Sequence, residues 1–216
     1  MQNLYIDSVA HRYGENKILN NVYLSCNVGE ITGLLGRNGS GKSTLLKIMF
    51  GSIKPDYMHM KLDDQIVTRA YLTGQIAYLP QDFFIPGHLK IKQVVGMYTN
   101  MYREELRSLP IISENENRAI CDLSSGQRRL TELLLILYSD SKFILLDEPF
   151  SQLSPIVIEE MKTQLMKFKN RKVIVLTDHY YEHILHVSDK IILLHNRCNY
   201  TIRSIEDLQL HGYVKA

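Results

Sequence analysis

Gly36-Arg37-Asn38-Gly39-Ser40-Gly41-Lys42-Ser43 fits the pattern G-x-x-x-x-G-K-[ST], and its surroundings decide the fold. Ile31 to Leu35, just before it, is an apolar run of strand length, and Lys42 to Phe50, just after it, has apolar residues at helical spacing. Strand, glycine-rich turn and helix in that order make a phosphate-binding loop. The glycines let backbone N–H groups from about Gly39 to Thr44 converge on a polyphosphate, and the helix N-terminus adds its positive dipole end. Gly36, Asn38 and Ser40 are expected among the nucleotide-binding residues with them, Lys42 is placed to meet the β and γ phosphates, and Ser43 is placed to coordinate Mg²⁺.

Working outward, Leu4 to Val9 and Val22 to Val28 alternate and are β-rich, with Gly14 and Asn20-Asn21 between them, which predicts antiparallel strands leading into the loop. Tyr57 to Tyr78 predicts further short strands, and Ile91 to Tyr102 a helix. From Gln81 to Leu123 scattered charges, Pro86, Pro110 and polar helix formers predict an inserted helical lobe with its own small core. Helices are expected over Gly126 to Tyr138 and Ile156 to Phe168, and buried strands over Phe143 to Leu146 and Val173 to Thr177. Such β-α-β succession predicts a parallel sheet covered by helices, and Ile191 to Ala216 adds two short strands and a small helix. The expected whole is one α/β domain over residues 1–216: a P-loop NTPase parallel-sheet core, an N-terminal antiparallel β subdomain, and a small helical subdomain inserted at about 82–140.

Phe143-Ile144-Leu145-Leu146-Asp147-Glu148 is a second chemical element. Its buried aliphatics deliver two carboxylates to the C-terminal edge of the sheet, where α/β proteins bind ligands. Asp147 is expected to hold Mg²⁺, directly or through water.

Composition narrows the field. A net charge of +2, with lysine and arginine spread along the chain, argues against a nucleic-acid partner. Cys26, Cys121 and Cys198 are odd in number and far apart, so neither a disulfide framework nor a zinc knuckle is expected. The stretch Met1 to Tyr5 does not read as a secretory signal, and no run approaches the ~18 apolar residues of a membrane span, so a cytoplasmic location is expected. His179, His183 and His186 have the spacing of one helical face, yet His179 falls in a strand-to-helix loop and no further ligand is evident, which weighs against a metal site.

Leu123-Ser124-Ser125-Gly126-Gln127 stands between the phosphate loop and the Asp147-Glu148 strand, and it resembles the ATP-binding cassette (ABC) signature Leu-Ser-Gly-Gly-Gln, with Ser125 replacing the first glycine. The resemblance covers nearly the whole chain and implies further roles. Glu148 matches the family's general base. Gln81, in Leu79-Pro80-Gln81-Asp82, is similar to the Q-loop glutamine that contacts Mg²⁺ and water, and His179, in Leu176-Thr177-Asp178-His179, to the H-loop histidine that contacts the γ phosphate. Tyr13, in Arg12-Tyr13-Gly14, resembles the A-loop aromatic that stacks on adenine, and ATP is the nucleotide so implied. Asp178 and Glu148-Pro149-Phe150 are similar to cassettes of lipopolysaccharide export and branched-chain amino-acid uptake.

In that family two cassettes meet head to tail, so Ser124, Gly126 and Gln127 are implied to touch a nucleotide held by the partner. The implied partners are a second ABC ATPase subunit and a transmembrane permease on a separate chain, and the implied location is the cytoplasmic face of the cell membrane. Ser125, and Ser154 in Ser151-Gln152-Leu153-Ser154 where the family has aspartate, depart from the pattern on partner-facing elements. Altered coupling between the two sites is the expectation this raises. The principal function implied is ATP hydrolysis driving transport; the alternatives are a cytosolic ABC ATPase of the iron–sulfur assembly type and a nucleotide-responsive binding module.

Overall fold

The computed structural model describes residues 2–151 and 153–214. Two long strands, β1 (Asn3–Tyr13) and β2 (Asn16–Asn27), pair antiparallel across the Gly14 turn, extending beyond their most regular alternation. β3 (Ile31–Leu35) is buried throughout and feeds the phosphate loop and helix α1 (Lys42–Phe50). β4 (Tyr57–Leu62) and β5 (Gln65–Ile66) return to the first sheet, giving the order β2-β1-β4-β5. β6 (Ile76–Leu79) then enters a second sheet.

Helices α2 (Ile91–Tyr98), α3 (Arg103–Arg107), α4 (Pro110–Ser113) and α5 (Ser125–Leu137) follow. Next come β7 (Phe143–Asp147), α6 (Pro155–Phe168), β8 (Val173–Thr177), α7 (Tyr181–Val187), β9 (Lys190–His195), β10 (Cys198–Ile202) and α8 (Ile205–Leu210). The second sheet runs β10-β9-β3-β8-β7-β6, parallel except for the β9-β10 hairpin.

Period-two alternation in this sheet sets the layers. Phe143 and Leu145, with Val173 and Val175, face a cluster shared with α1 (Leu45, Ile48) and the first sheet (Leu4, Ile6, Val22). Ile144 and Leu146, with Ile174 and Leu176, face the helices on the other side (Leu133, Met161, Ile184). Both faces are covered, which is why these strands read as continuous apolar runs.

Two expectations are corrected. The helix over Ile91 to Tyr102 stops at Tyr98, because Asp140 draws the Asn100 and Met101 amides and the Thr99 hydroxyl into its own carboxylate. The helical segment also lacks a separate core: Val94, Leu106 and Ile112 join the cluster containing Ile144 and Leu146, bridged by Leu133 and Leu134 of α5. Among the described residues no helix is long and apolar enough to cross a membrane.

One lysine is buried in this core. Lys172, 2% exposed, lies near the rings of Tyr102 and Phe168 and donates to the Ser139 carbonyl. Burial pulls its pKa down to about 7, against an opposing pull from Asp140. Unfolded, a lysine titrates at about 10.4. Between these values the unfolded chain binds a proton that the folded chain does not, so this residue makes stability rise with pH above about 7, by at most ~1.4 kcal/mol per pH unit. Urea unfolding is expected to show that rise in the native chain and a flatter curve in Lys172→Met; parallel curves would contradict it.

Candidate functional site

Parallel register brings the candidate residues to one edge. Leu34 and Asp147 both pair with Thr177, and Leu79 pairs with Leu146. The residues that follow (the loop after β3, Asp178-His179 after β8, Glu148 after β7 and Gln81 after β6) therefore emerge side by side at the C-terminal edge of the sheet. They border a cavity of about 400 Å³, which takes in Tyr13, Asn38, Gly39 and Gly41 to Thr44 together with Gln81, Glu148 and His179. Gly41 has φ 100° and caps α1, and a Cβ there would sit 2.8 Å from Ile18 and 2.9 Å from Leu19. Only glycine fits that turn without strain. No acidic residue occupies the first turn of α1, so its N-terminal amides remain open to an anion.

Lys42, 5% exposed, donates to the carbonyls of Gly36 (2.8 Å) and Arg37 (3.4 Å). Among the described residues no carboxylate lies within ion-pair distance of it. Burial lowers its pKa, and the fields of Glu148, Asp147 and Asp178 counter this. The ammonium is thus held by neutral dipoles, with its charge not cancelled by a contact ion pair.

Glu148, 4% exposed, has both carboxylate oxygens engaged: Gln81 Nε2 donates to Oε2 at 2.8 Å, and His179 Nε2 lies 2.9 Å from Oε1. Burial pushes the Glu148 carboxyl above the usual carboxylate range; His179 pulls against the shift and Asp147 adds to it. Such a carboxylate, beside a phosphate loop, is a stronger proton acceptor than one in water. Its backbone is left-handed, at φ 50°, a conformation rare outside glycine and asparagine and one that accumulates at functional sites.

Asp147 accepts from Ser43 Oγ at 2.9 Å through Oδ1 and from Tyr78 OH at 2.8 Å through Oδ2. Burial and the Asp147 charge keep the Tyr78 phenol protonated and donating. Ser43 and Asp147 place two hard oxygen donors together beside the loop, a donor set that fits Mg²⁺.

Ser124, Gly126 and Gln127 do not reach this cavity. They form the tip of α5, where Ser124 Oγ accepts from the Gln127 amide (3.3 Å) and Gln127 Oε1 from the Ser124 amide (3.0 Å). A second cleft, of about 270 Å³, lies between Ser125 and the same Gln81 and Glu148. Gly36 and Ser40 shape the loop rather than line the cavity: Gly36 accepts from Lys42, and the Ser40 amide closes a turn onto Arg37 at 3.0 Å. Ser154 occupies the N-cap position of α6 ahead of Pro155, with no capping bond from its side chain, and Gln152 lies outside the described residues. His179 precedes α7, while His183 stacks edge-on against Phe150.

Three contributors were missed by sequence reasoning. Tyr78 stands three residues before Gln81, Asp178 holds the amides of Phe150 (2.9 Å) and Tyr180 (3.1 Å), and Arg129 of α5 donates to Pro80, Asp147 and Glu148 carbonyls. Their partners are mostly backbone atoms of distant segments, which leave no mark in a sequence pattern.

The family description "ABC transporter" matches residues 19–151. A "Probable ABC transporter ATP-binding protein" of Azorhizobium caulinodans is 32% identical over 206 residues, covering 87% of this chain and 72% of that protein. The "Lipopolysaccharide export system ATP-binding protein LptB" of Haemophilus influenzae is 28% identical, over 90% of this chain and 87% of its own length. A "Probable sulfate/thiosulfate import ATP-binding protein CysA" of Chlorella vulgaris is also 28% identical, over 96% and 94%. The fold matches a solved "ATP binding subunit of ABC transporter" with a TM-score of 0.83 at 20% identity, over 99% of this chain and 95% of that one.

Proposed function

Because the chain belongs to the ABC transporter family, as one of its ATP-binding subunits, we propose that it hydrolyses ATP at the Glu148 site, paired with a second ATP-binding subunit, to drive a permease carried on a separate chain at the cytoplasmic face of the membrane. The observation that carries the reading is the Glu148 carboxylate, gripped by Gln81 and His179 at the rim of the phosphate-loop cavity. Relatives named as ATP-binding proteins of an import system and of an export system support a separate membrane partner. Comparable identity to both puts the likeness in ATP handling rather than in a cargo path.

The polyphosphate lies along the Gly39–Thr44 amides at the head of α1, and Lys42 turns from its carbonyl partners to the β and γ phosphates. Ser43 and Asp147 would hold Mg²⁺, with Gln81 as a third contact, and a cation held there would supply positive charge against the phosphates. Glu148 takes the proton from the attacking water, and His179 and Gln81 orient that carboxylate and the γ phosphate side of the cavity. Ser124, Gly126 and Gln127, absent from this chain's own cavity, serve the nucleotide of the partner subunit.

Tyr13, 52% exposed at the cavity mouth, stacks on the base, braced edge-on by His11 with ring centroids 4.7 Å apart. Stacking on one face is worth about 1–3 kcal/mol. Tyr13→Ala is expected to weaken ATP binding by roughly five- to tenfold, at the low end of that range because the ring is half exposed, and Tyr13→Phe to restore it. Titration with a fluorescent ATP analogue checks both; equal affinity for all three proteins removes Tyr13 from the site.

The test of the whole reading is phosphate release by the purified chain, alone and with the membrane protein recovered in a mild-detergent pull-down. Hydrolysis stimulated by a co-purifying multispan protein is expected. Hydrolysis with no such partner, or with sulfur-mobilising proteins in its place, overturns the transport assignment.

A further inference from the structure

The hydrogen bonds of one buried cation outside the nucleotide cavity connect its two catalytic loops. Arg129, in the second turn of α5 and 4% exposed, sends NH1 to the Pro80 carbonyl at 2.7 Å and NH2 to the carbonyls of Asp147 at 2.9 Å and Glu148 at 3.2 Å. Pro80 immediately precedes Gln81, so one planar fork grips the backbone beside both partners of the Gln81–Glu148 bond. The peptide groups of Glu148 are pinned from two sides, its N–H by the Thr177 carbonyl at 2.9 Å and its C=O by Arg129.

That double hold answers a need. A non-glycine residue is disfavoured in the left-handed region, and Glu148 stays there at φ 50° only if its surroundings over-determine it. The neighbouring polar groups divide the work. Glu132 accepts the Phe84 (3.1 Å) and Ile85 (3.2 Å) amides, and Arg128 donates to the Ile85 carbonyl (2.8 Å) while covering the Phe83 ring. Both fasten the far side of the Pro80–Ile85 loop to α5. Arg129 binds backbone carbonyls of both that loop and the end of β7, alongside the side-chain bond from Gln81 to Glu148. Lysine carries the charge but not the fork, so it cannot bond the same three carbonyls in one plane.

We infer that Arg129 is a positioning residue for the hydrolytic step: its guanidinium sets Gln81 and Glu148 relative to each other and holds Glu148 in the backbone conformation that aims its carboxylate into the cavity. This rests on the hydrolytic reading given above. Arg129 does not border the phosphate-loop cavity; it lines the second cleft with Gln81, Ser125 and Glu148 and bonds the Glu148 carbonyl.

The test compares Arg129→Lys and Arg129→Gln with the native chain, using Arg128→Lys as the neighbouring control. Three quantities are read: ADP affinity, phosphate release per nucleotide-binding site titrated with a non-hydrolysable ATP analogue, and the melting curve. A displacement of about 1 Å at a catalytic group can cost ~10²-fold. Turnover per titrated site is expected to fall about tenfold in R129K and about a hundredfold in R129Q, with ADP affinity within about twofold of native in both. R128K is expected to stay within about twofold on both counts. A purely structural role lowers the number of binding sites or affinity and turnover together, and titrating sites separates that case. The proposal is overturned if turnover per site is unchanged, if affinity falls in step with turnover, or if neither Arg129 variant folds. A native chain that binds ATP but releases no phosphate defeats the hydrolytic reading and this one with it; a native chain that hydrolyses, with R129K and R129Q equal to it, defeats only the role of Arg129.

Discussion

Replacing Glu148 with glutamine is expected to lower phosphate release about 10²–10⁴-fold, the span of a lost general base, while ATP binding stays within roughly a factor of two. The physical case begins with environment. Glu148 is buried, its carboxyl is held above the ordinary range by that burial, and both its oxygens have partners that fix their direction. An amide of the same shape keeps one oxygen for Gln81 or His179 but has no site for a proton taken from water. Binding depends on the phosphate loop and Lys42, which the exchange does not touch. The measurement pairs phosphate release with nucleotide titration and with sedimentation in ATP, where E148Q is expected to accumulate as an ATP-held dimer. Native-like release by E148Q sinks the assignment of Glu148 as the base; loss of binding shows a role in holding nucleotide instead.

Lys42→Ala is the second large effect, and it acts on both binding and turnover. The ammonium is nearly enclosed, bonded to two carbonyls, and lies in the field of three carboxylates without a contact pair to any. A charge-assisted bond to phosphate is worth about 1.5–3 kcal/mol, so ATP affinity is expected to fall by at least about tenfold. Charge that grows on the γ phosphate during transfer meets the same group, and loss of such a preorganised donor costs about 10²–10³-fold in turnover. ADP, which lacks the γ phosphate, is expected to lose less affinity than ATP. Isothermal titration with both nucleotides tests the difference, and equal losses for the two contradict placement of Lys42 against the γ phosphate.

The elements that sequence reading located well are those whose burial is uniform. Val173–Thr177 and Phe143–Asp147 lie between two apolar clusters, so every residue must be apolar until the strand emerges at the site. The strand-loop-helix from Ile31 to Phe50 was equally plain, because Gly41 is required by a turn that brings its backbone within contact of Ile18 and Leu19. The helical segment was less legible. Its helices are short, α2 is cut off by a carboxylate some forty residues away in sequence, and its apolar residues share a core with the main sheet. Nothing local to Ile91–Tyr102 records the pull of Asp140.

The candidate site divides the same way. Lys42, Ser43, Asp147, Glu148, Gln81 and His179 carry their chemistry in their side chains, at the ends of strands that amino-acid type and spacing already mark, so the sequence determined which groups could act. What it could not determine was how they are held. Parallel register places four loops side by side, Tyr78 and Ser43 orient Asp147, and Arg129 clasps three carbonyls from two loops. Those partners are backbone atoms and residues tens of positions apart, and a carbonyl is present at every residue whatever its side chain. Only the tertiary structure chooses which carbonyls meet the guanidinium, and with them the φ of 50° that aims Glu148.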